Sequence, residues 1–197
     1  MHLQQKRLGI TLETEWEKFR QKIVGLQSDL SRFKVELLDR ESFKNFTDNF
    51  YGLTCNWKEI CITGYFSETI RQELERFVQV KEHKLRLICQ ELDINKQRDR
   101  KNLEVLEKLH KKGVQIKVNN RLHARFLVAH NPIFKGSGLL VLGSFDFNTE
   151  CMGKERFDAG IKTEHPDLIC SALDLFDQIW NEEGSVTLNE RYHDSKT

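Results

Sequence analysis

The sequence has few of the features that mark membrane-bound, secreted or disordered proteins. Its 197 residues include only two prolines and no low-complexity run, so an ordered chain with room for one domain is expected. The longest apolar stretches, at Phe126–Ala129 and Leu139–Leu142, are far shorter than the roughly 20 residues that cross a bilayer. The N-terminus also lacks the apolar core of a signal peptide. We therefore expect a cytoplasmic protein with no membrane partner.

Disulfide and metal-binding patterns are also missing from the sequence. The five cysteines are an odd number, are widely spaced and form no C-x-x-C pair, which favours reduced, buried thiols over a disulfide framework or a zinc site. Five of the seven histidines show no ligand spacing and are expected at the surface. The sequence thus predicts neither a metal nor a cofactor. The residues concerned are Cys55, Cys61, Cys89, Cys151 and Cys170, and His2, His83, His110, His165 and His193.

Charge is distributed unevenly, although the net formal charge is only +1. Residues 96–125 contain 10 Lys and Arg against 3 Asp and Glu, whereas residues 145–197 contain 5 basic and 12 acidic residues. A basic region of this kind is typical of a surface that binds a polyanion such as nucleic acid. The solvated face of an ordinary helix looks the same, so the charge pattern leaves both interpretations open.

Residues 1–40 are predicted to form an N-terminal helix. Their apolar residues are separated by alternating steps of four and three, which is the a/d spacing of a coiled-coil seam. Such a helix either packs on the core of its own domain or joins two subunits, and the pattern does not choose between these roles. The seam consists of Leu12, Trp16, Phe19, Ile23, Leu26, Leu30, Phe33 and Leu37.

The rest of the chain is predicted to alternate between strands and helices. This order indicates an α/β sandwich with a mixed central sheet over residues 41–183, followed by a polar tail over residues 184–197. Ser67 is expected to cap one helix and Gly113 to end another. The predicted strands are Glu59–Tyr65, Leu85–Cys89, Val114–Val118, Ala124–Ala129, Leu139–Leu142 and Phe157–Lys162, and the predicted helices are 41–49, 67–78, Asn102–Lys112 and Leu168–Asn181.

Polar side chains with catalytic potential lie at the ends of two predicted strands. Because successive side chains of a strand point to opposite faces, His123 and Arg125 would project together where their strand begins. An imidazole and a guanidinium would thus lie side by side. The strand Leu139–Leu142 leads into Gly143 and Ser144, where the glycine permits a turn and the serine offers a hydroxyl.

These elements resemble the motifs of the phospholipase D superfamily. The run Leu122-His-Ala-Arg-Phe-Leu-Val resembles its H-x-K motif, Val141-Leu-Gly-Ser-Phe-Asp-Phe its G-S-x-N element, and Arg156-Phe-Asp-Ala-Gly-Ile its later acidic residue. The resemblance covers roughly residues 50–180 and leaves the N-terminal helix outside. It implies a metal-independent displacement in two steps. One histidine attacks phosphorus, and a second protonates the leaving oxygen and then activates water.

The chain carries one such motif, so the resemblance implies that two copies face each other and build one shared site. The required homodimer has an isologous contact, which is the commonest oligomer geometry. His123 would be the nucleophile in one subunit and the general acid and base in the other, Arg125 would bind phosphate oxygens, and Ser144 would add a hydroxyl contact. Asp158 would hold the other ring nitrogen of His123 and fix its tautomer. Further candidates for substrate binding are Asn120, Arg121 and Asp146.

Four positions depart from the family pattern. Arg125 stands where lysine is usual, which keeps the cation and allows it to bind two phosphate oxygens at once. Asp146 stands in place of asparagine, and its carboxylate would repel a phosphate instead of donating a hydrogen bond. His130 occupies the position of the family's aspartate, on the face opposite His123, which predicts a structural role. The spacing to Asp158 is slightly shifted.

Three functions remain after these observations: a nuclease, a non-catalytic nucleic-acid-binding dimer, and a phosphodiesterase that acts on lipid head groups. The sequence has no apolar stripe that would bind a membrane surface, which argues against the last. The basic residues that lead into the motif favour a phosphate-rich polymer, bound mainly through its backbone charge. We expect nucleic acid as the partner, with DNA ahead of RNA.

Overall fold

The computed structural model describes residues 35–66, 68–134, 136–144 and 158–192. Within these ranges the chain forms the predicted α/β sandwich with a mixed sheet. No helix in these ranges is both long enough and apolar enough to cross a membrane. The elements are β1 Val35–Leu38, α1 Arg40–Asp48, α2 Phe50–Thr54, β2 Glu59–Gly64, α3 Glu68–Val78, β3 Lys84–Gln90, α4 Gln97–Lys111, β4 Gln115–Asn119, β5 Phe126–His130, β6 Gly138–Gly143, β7 Gly160–Thr163, α5 Pro166–Asn181, β8 Ser185–Thr187 and α6 Leu188–Tyr192.

The strands of the described ranges form one mixed sheet in the order β1-β7-β6-β5-β2-β3-β4-β8. Strands β2, β3 and β4 are parallel neighbours, whereas β5 runs antiparallel to β2, with Phe126 opposite Thr63. The carboxyl ends of the three parallel strands therefore meet at one edge of the sheet, and the start of β5 lies at the same edge. Ligands commonly bind at such an edge in open α/β sheets.

Helices cover both faces of the sheet, because each strand alternates its side chains between two apolar layers. On one face, α1, α3 and α4 bury Phe43, Leu74 and Leu106 in the same core as Leu127 of β5. On the other face, α5 buries Phe176 beside Phe126, the neighbouring residue of β5. Strand β5 is thus packed on both faces, which fixes the position of the sheet edge where β5 begins.

Residues 35–38 form strand β1 and are not the end of the predicted N-terminal helix. Val35 pairs with Thr163 in an antiparallel ladder with β7, and Leu38 is buried in the core. Leu37 fits the a/d spacing of a helix and the alternation of a strand equally well, so the local pattern could not separate the two. Pairing with a strand far along the chain decides the outcome. Residues 1–34 of the predicted helix lie outside the described residues, and Asp39 and Arg40 cap and begin α1.

Regular structure also extends into the segment predicted to be a polar tail. Strand β8 pairs with β4 through Val186 and Val118, and α6 buries Leu188. The backbone N–H of Leu92 donates a hydrogen bond of 2.7 Å to the hydroxyl of Tyr192. The segment has too few apolar residues to show a period, but those few pack against the edge of the sheet.

Helix α4 ends where the sequence predicts. Gly113 has a φ of +90°, and the N–H groups of Gly113 and Val114 donate to the carbonyls of His110 and Leu109 at 2.9 and 3.2 Å. A positive φ of this kind favours glycine after the last helical turn. The helix begins at Gln97, earlier than predicted. The sequence pattern missed the first turn because its residues are polar and show no apolar period. Ser67, the predicted cap of α3, lies outside the described residues.

The cysteines are consistent with reduced thiols within the described ranges. Cys61 and Cys89 are fully buried, and Cys55 and Cys170 are partly buried and also free. Burial raises the pKa of the Cys89 thiol to about 12, so it stays protonated and unreactive at neutral pH. Cys151 lies outside the described residues.

The histidines predicted at the surface differ in exposure. His110 is exposed, as expected. His83 is half-buried, with its ring stacked on Phe77 at a centroid distance of 4.3 Å. His165 is also half-buried and caps α5, where its Nδ1 accepts a hydrogen bond of 3.2 Å from the N–H of Asp167. The last two thus have structural roles that residue spacing did not reveal.

Candidate active site

A cavity of about 390 Å³ opens at the sheet edge where β2 and β3 end. We call it the edge cavity. Its lining includes Tyr65 after β2, Gln90 at the end of β3, and His123 and Arg125 before β5. Parallel strands and the antiparallel β5 therefore bring together residues that are far apart in sequence, and the two central motif residues share this cavity.

His123 and Arg125 precede strand β5 instead of beginning it. The strand starts at Phe126, two residues later than predicted. The alternation nevertheless persists, because Ala124 packs against the apolar layer under α5 while its two neighbours line the edge cavity. The His123 side chain is exposed and makes no hydrogen bond to another described residue. Its imidazole is therefore accessible to a molecule that enters the cavity.

Thr63 fixes the backbone on which these two side chains stand. Its hydroxyl donates to the carbonyl of Ala124 at 3.0 Å and accepts from the N–H of Phe126 at 3.1 Å. Thr63 is fully buried, so these bonds do not compete with water. A threonine in the otherwise apolar end of β2 was the available sequence signal for this contact.

Arg125, Ser144 and Asp158 are joined by hydrogen bonds. The Nη1 of Arg125 donates to the carbonyl of Ser144 at 3.1 Å. The Ser144 hydroxyl donates to Oδ1 of Asp158 at 2.8 Å and accepts from the N–H of Ala159 at 3.2 Å. The antiparallel pairing of β6 with β7 brings the ends of these strands together. Residues from three separate motifs therefore form one connected group.

Asp158 does not hold the His123 ring in this structure. Within the described ranges no hydrogen bond joins the two side chains, and the carboxylate instead accepts from Ser144. The register of β6 and β7 explains this difference, because it sets the residues before Gly160 directly against the residue after Gly143. Asp158 thus orients a hydroxyl, whereas the motif resemblance implied that it orients an imidazole.

The other candidates for substrate binding lie away from the edge cavity or outside the described residues. Arg121 forms an ion pair with Glu182, and its backbone N–H donates to Oδ1 of Asn119 at 2.8 Å. Asn120 is exposed in the turn after β4. Neither Arg121 nor Asn120 lines the cavity. Asp146 belongs to the part of the chain that the structure does not describe.

His130 lies on the face opposite the motif histidine, as strand parity predicts. It is the last residue of β5 and is 9% exposed. Because it ends the strand that Arg125 precedes, roughly 16 Å of extended backbone separates it from the edge cavity. His130 therefore takes no part in the chemistry of that cavity.

Sequence reasoning missed the wall of the cavity formed by Tyr65, Arg98 and Asp99. The Tyr65 hydroxyl donates to Oδ1 of Asp99 at 2.9 Å, and the guanidinium carbon of Arg98 lies 4.4 Å from the centre of the Tyr65 ring. A cation over an aromatic face is held in place by the ring's electrostatics. Arg98 belongs to the predicted basic region, but only the fold shows that this part of the region reaches the motif.

Ion pairs balance much of the charge around the cavity. Glu91 pairs with Arg191 of α6, and Lys96 Nζ lies 3.3 Å from Oδ2 of Asp93. The N–H of Asn95 and the Lys96 ammonium lower the pKa of Asp93, so this pair is ionised at neutral pH. The cavity is therefore less positive than the charge of residues 96–125 suggested.

The chain is similar to several solved structures of known proteins. No model of a known protein family and no curated protein matches the chain. Nuc from Salmonella typhimurium, a phospholipase D family member, has a TM-score of 0.58 at 13% identity over 79% of this chain and 97% of its own. NucT from Helicobacter pylori has a TM-score of 0.59 at 13% identity over 79% and 99%. TrmBL2, an archaeal chromatin protein described with a novel mode of DNA binding, has 0.52 at 12% identity over 90% and 64%.

These likenesses define the class of structure to which the chain belongs. It is an α/β domain whose sheet edge carries a histidine, an arginine, a serine and an aspartate from separate motifs. The particular fold is the phospholipase D-like fold, which confirms the expectation from the sequence. The alignments extend over almost the whole of Nuc and NucT, so the matched domain corresponds to one complete chain of each.

Proposed function

We propose that the protein is a phosphodiesterase that hydrolyses nucleic-acid phosphodiester bonds without a metal ion, in a site shared by two copies of the chain. The observation that supports this most is the exposed imidazole of His123 in the same cavity as Arg125. An imidazole can attack phosphorus, and a guanidinium can bind the oxygens that do not react. The bond from Arg125 to the Ser144 carbonyl holds the guanidinium beside the cavity.

The proposed reaction has two displacements at phosphorus. In the first, a ring nitrogen of His123 forms a bond to phosphorus as the bond to the leaving oxygen breaks, and His123 of the partner subunit gives that oxygen a proton. In the second, the now neutral His123 of the partner subunit takes a proton from water. The water oxygen bonds to phosphorus and the nitrogen–phosphorus bond breaks. Arg125 stabilises the charge that develops on the phosphoryl oxygens in both steps.

A second subunit is proposed because one imidazole cannot attack phosphorus and protonate the leaving group in the same step. Among the described residues that line the edge cavity, His123 is the one histidine. His110 lies near the end of α4, and its ring bonds to the Val114 carbonyl. Another copy of the chain, turned so that its own edge cavity faces the first, would supply the missing proton donor.

A polymer is the proposed substrate because the cavity continues into a second groove. This groove has a volume of about 440 Å³, shares Tyr65 and Arg98 with the edge cavity, and includes Lys101 and Lys108 of α4. Glu68 also lines the groove and lies 3.7 Å from Lys108 Nζ. Arg98 and Lys101 are therefore the cations proposed to bind the backbone phosphates. Binding would then depend on backbone charge, and the affinity should fall steeply as the salt concentration rises.

The second candidate function is a nucleic-acid-binding dimer that has lost catalysis. The aspartate at position 146, where the superfamily motif has asparagine, favours this alternative, because a carboxylate there opposes phosphate binding. The structural likeness to TrmBL2 is compatible with it. Formation of a phosphohistidine separates the two candidates, since a binding protein would form none.

The proposed function can be tested directly with labelled nucleic acids. Single-stranded and double-stranded DNA and RNA are each incubated with the protein in EDTA. We expect cleavage of at least one of these polymers in the chelator, because histidine chemistry needs no Lewis acid. A complete loss of cleavage in EDTA that magnesium restores would contradict the mechanism. Increasing salt should weaken binding to all sequences alike.

Changing Asp146 to asparagine should increase cleavage or tighten phosphate binding. The substitution exchanges a repelling carboxylate for an N–H donor at nearly constant volume, and one such polar contact is worth roughly 1–3 kcal/mol, or about 5-fold to 160-fold in binding. The rate and the phosphate inhibition constant of Asp146→Asn, measured beside the unchanged protein, check this. His123→Ala should remain inactive in both backgrounds. Weaker phosphate binding in Asp146→Asn would show that the carboxylate does not oppose the substrate.

A further inference from the structure

A second group of ligand atoms lies on the face of the sheet under α5, at the edge opposite the candidate active site. Glu59 begins β2 and pairs across the sheet with His130, which ends β5. Cys61 lies two residues after Glu59 and so points to the same face. One carboxylate oxygen, the thiol sulfur and one imidazole nitrogen all lie within 4.8 Å of one another. Sequence spacing could not show this group, because the histidine comes from a distant strand.

The His130 ring has a nitrogen that the rest of the described protein leaves without a partner. His130 is 9% exposed, and its Nε2 is buried with no hydrogen bond. This atom lies 3.9 Å from Oε2 of Glu59, too far for a hydrogen bond. Buried polar atoms are rarely left unsatisfied, so this nitrogen is available to bind a ligand.

Arg86 holds the other atoms of the group in place. Its Nε donates to Oε1 of Glu59 at 2.6 Å and its Nη2 to the sulfur of Cys61 at 3.3 Å. Its Nη1 donates to Asp177 of α5 at 2.6 Å, and the guanidinium carbon lies 4.9 Å from the centre of the Phe176 ring. Oε2 of Glu59 is thereby left pointing toward His130. Outer hydrogen bonds of this kind commonly orient the ligands of a metal ion.

The charge of the group also fits a divalent cation. With a neutral imidazole and a neutral thiol, the carboxylates of Glu59 and Asp177 and the guanidinium of Arg86 leave one net negative charge. A divalent ion that displaces the thiol proton adds two positive charges and one negative charge, so the whole group becomes neutral. Buried charges are stable when they are compensated in this way.

We propose that Glu59, Cys61 and His130 bind a Zn²⁺ ion that links β2 to β5. Thiolate, imidazole and carboxylate ligands together are typical of zinc, which takes four ligands in a tetrahedron. Three come from the protein, and water completes the set. Zinc binds cysteine as the thiolate, so binding should release the thiol proton.

Cobalt(II) gives a direct test, because thiolate ligation produces a near-ultraviolet charge-transfer band and a tetrahedral site produces visible bands. We expect one Co²⁺ per chain of the tag-free protein, with both bands, and displacement by Zn²⁺. Cys61→Ser should lose the charge-transfer band, and His130→Asn should bind Co²⁺ at least about 100-fold more weakly, since even outer-shell changes cost 10-fold to 100-fold. Cys89→Ser is the matched control, because that buried thiol lies in the opposite apolar layer.

Thermal unfolding gives a second readout. Zinc at about 100 times its dissociation constant should raise the Tm of the unchanged protein by roughly 5 °C or more, and should not raise that of Cys61→Ser. If Cys61→Ser does not fold, Glu59→Gln serves instead, since it keeps the side-chain volume but removes the anionic ligand. The proposal is overturned if the unchanged protein shows no thiolate band. It is also overturned if Cys61→Ser or Glu59→Gln binds cobalt as tightly as the unchanged protein. His123→Ala should bind cobalt normally, so this result is independent of the proposed nuclease activity.

Discussion

Replacing His123 by alanine should abolish phosphodiester cleavage, and the unchanged protein should form a phosphohistidine that the variant cannot form. His123 is exposed in the edge cavity, where it would be both the nucleophile and, from the other subunit, the acid and base. Removing a nucleophile that also acts as a proton donor should lower the rate at least about 10⁴-fold. Turnover of labelled substrate and the mass of the intact chain, trapped at mildly acidic pH, measure the two effects.

His110→Ala is the matched control for this experiment. His110 is also exposed, but it lies near the end of α4 and bonds to the Val114 carbonyl, so its loss should leave cleavage and the trapped adduct unchanged. The enzyme interpretation would be abandoned if neither adduct nor turnover appeared on any nucleic acid, even with Asp146→Asn. The chain would then be the binding dimer, and His123→Ala would change its affinity modestly, by roughly 1–3 kcal/mol.

The sequence predicted the parts of the site that depend on local pattern. Alternation along a strand predicted that His123 and Arg125 share one side and that His130 lies on the other. A glycine after the last turn predicted the end of α4 at Gly113. These inferences needed only the geometry of one element, which a few neighbouring residues determine. The α/β order of the elements was also predicted, because each helix or strand shows its own apolar period in a short stretch of sequence.

The parts that the sequence did not predict depend on contacts between distant residues. Arg121 was a candidate for substrate binding, but its guanidinium pairs with Glu182, which follows the last residue of α5. Asp158 bonds to Ser144 because of the register between β6 and β7. No local pattern encodes either contact, since each is determined by strand order and by which charges the fold brings together.

The group around Glu59 illustrates the same limit for metal sites. Cysteine and histidine spacing along the chain predicted no metal, because the usual signatures place ligands within one or two turns or loops. Here antiparallel pairing of β2 with β5 supplies the proximity, and the signal appears only as a buried imidazole nitrogen without a partner.

Mixing unchanged and His123→Ala chains should reveal whether two subunits share one active site. The unchanged protein should first be a dimer by sedimentation at micromolar concentration. If both histidines of a dimer are needed, only pairs of unchanged chains are active. A random mixture with a ninefold excess of His123→Ala should then have about one hundredth of the activity of the unchanged protein at the same total concentration. Independent sites would keep about one tenth. Co-refolding followed by native mass measurement checks that the chains have mixed, and His110→Ala in the same excess should cause no loss. Activity that falls in proportion to the unchanged fraction, or full activity from a monomer, would contradict the shared site, because one imidazole would then suffice for both attack and proton transfer.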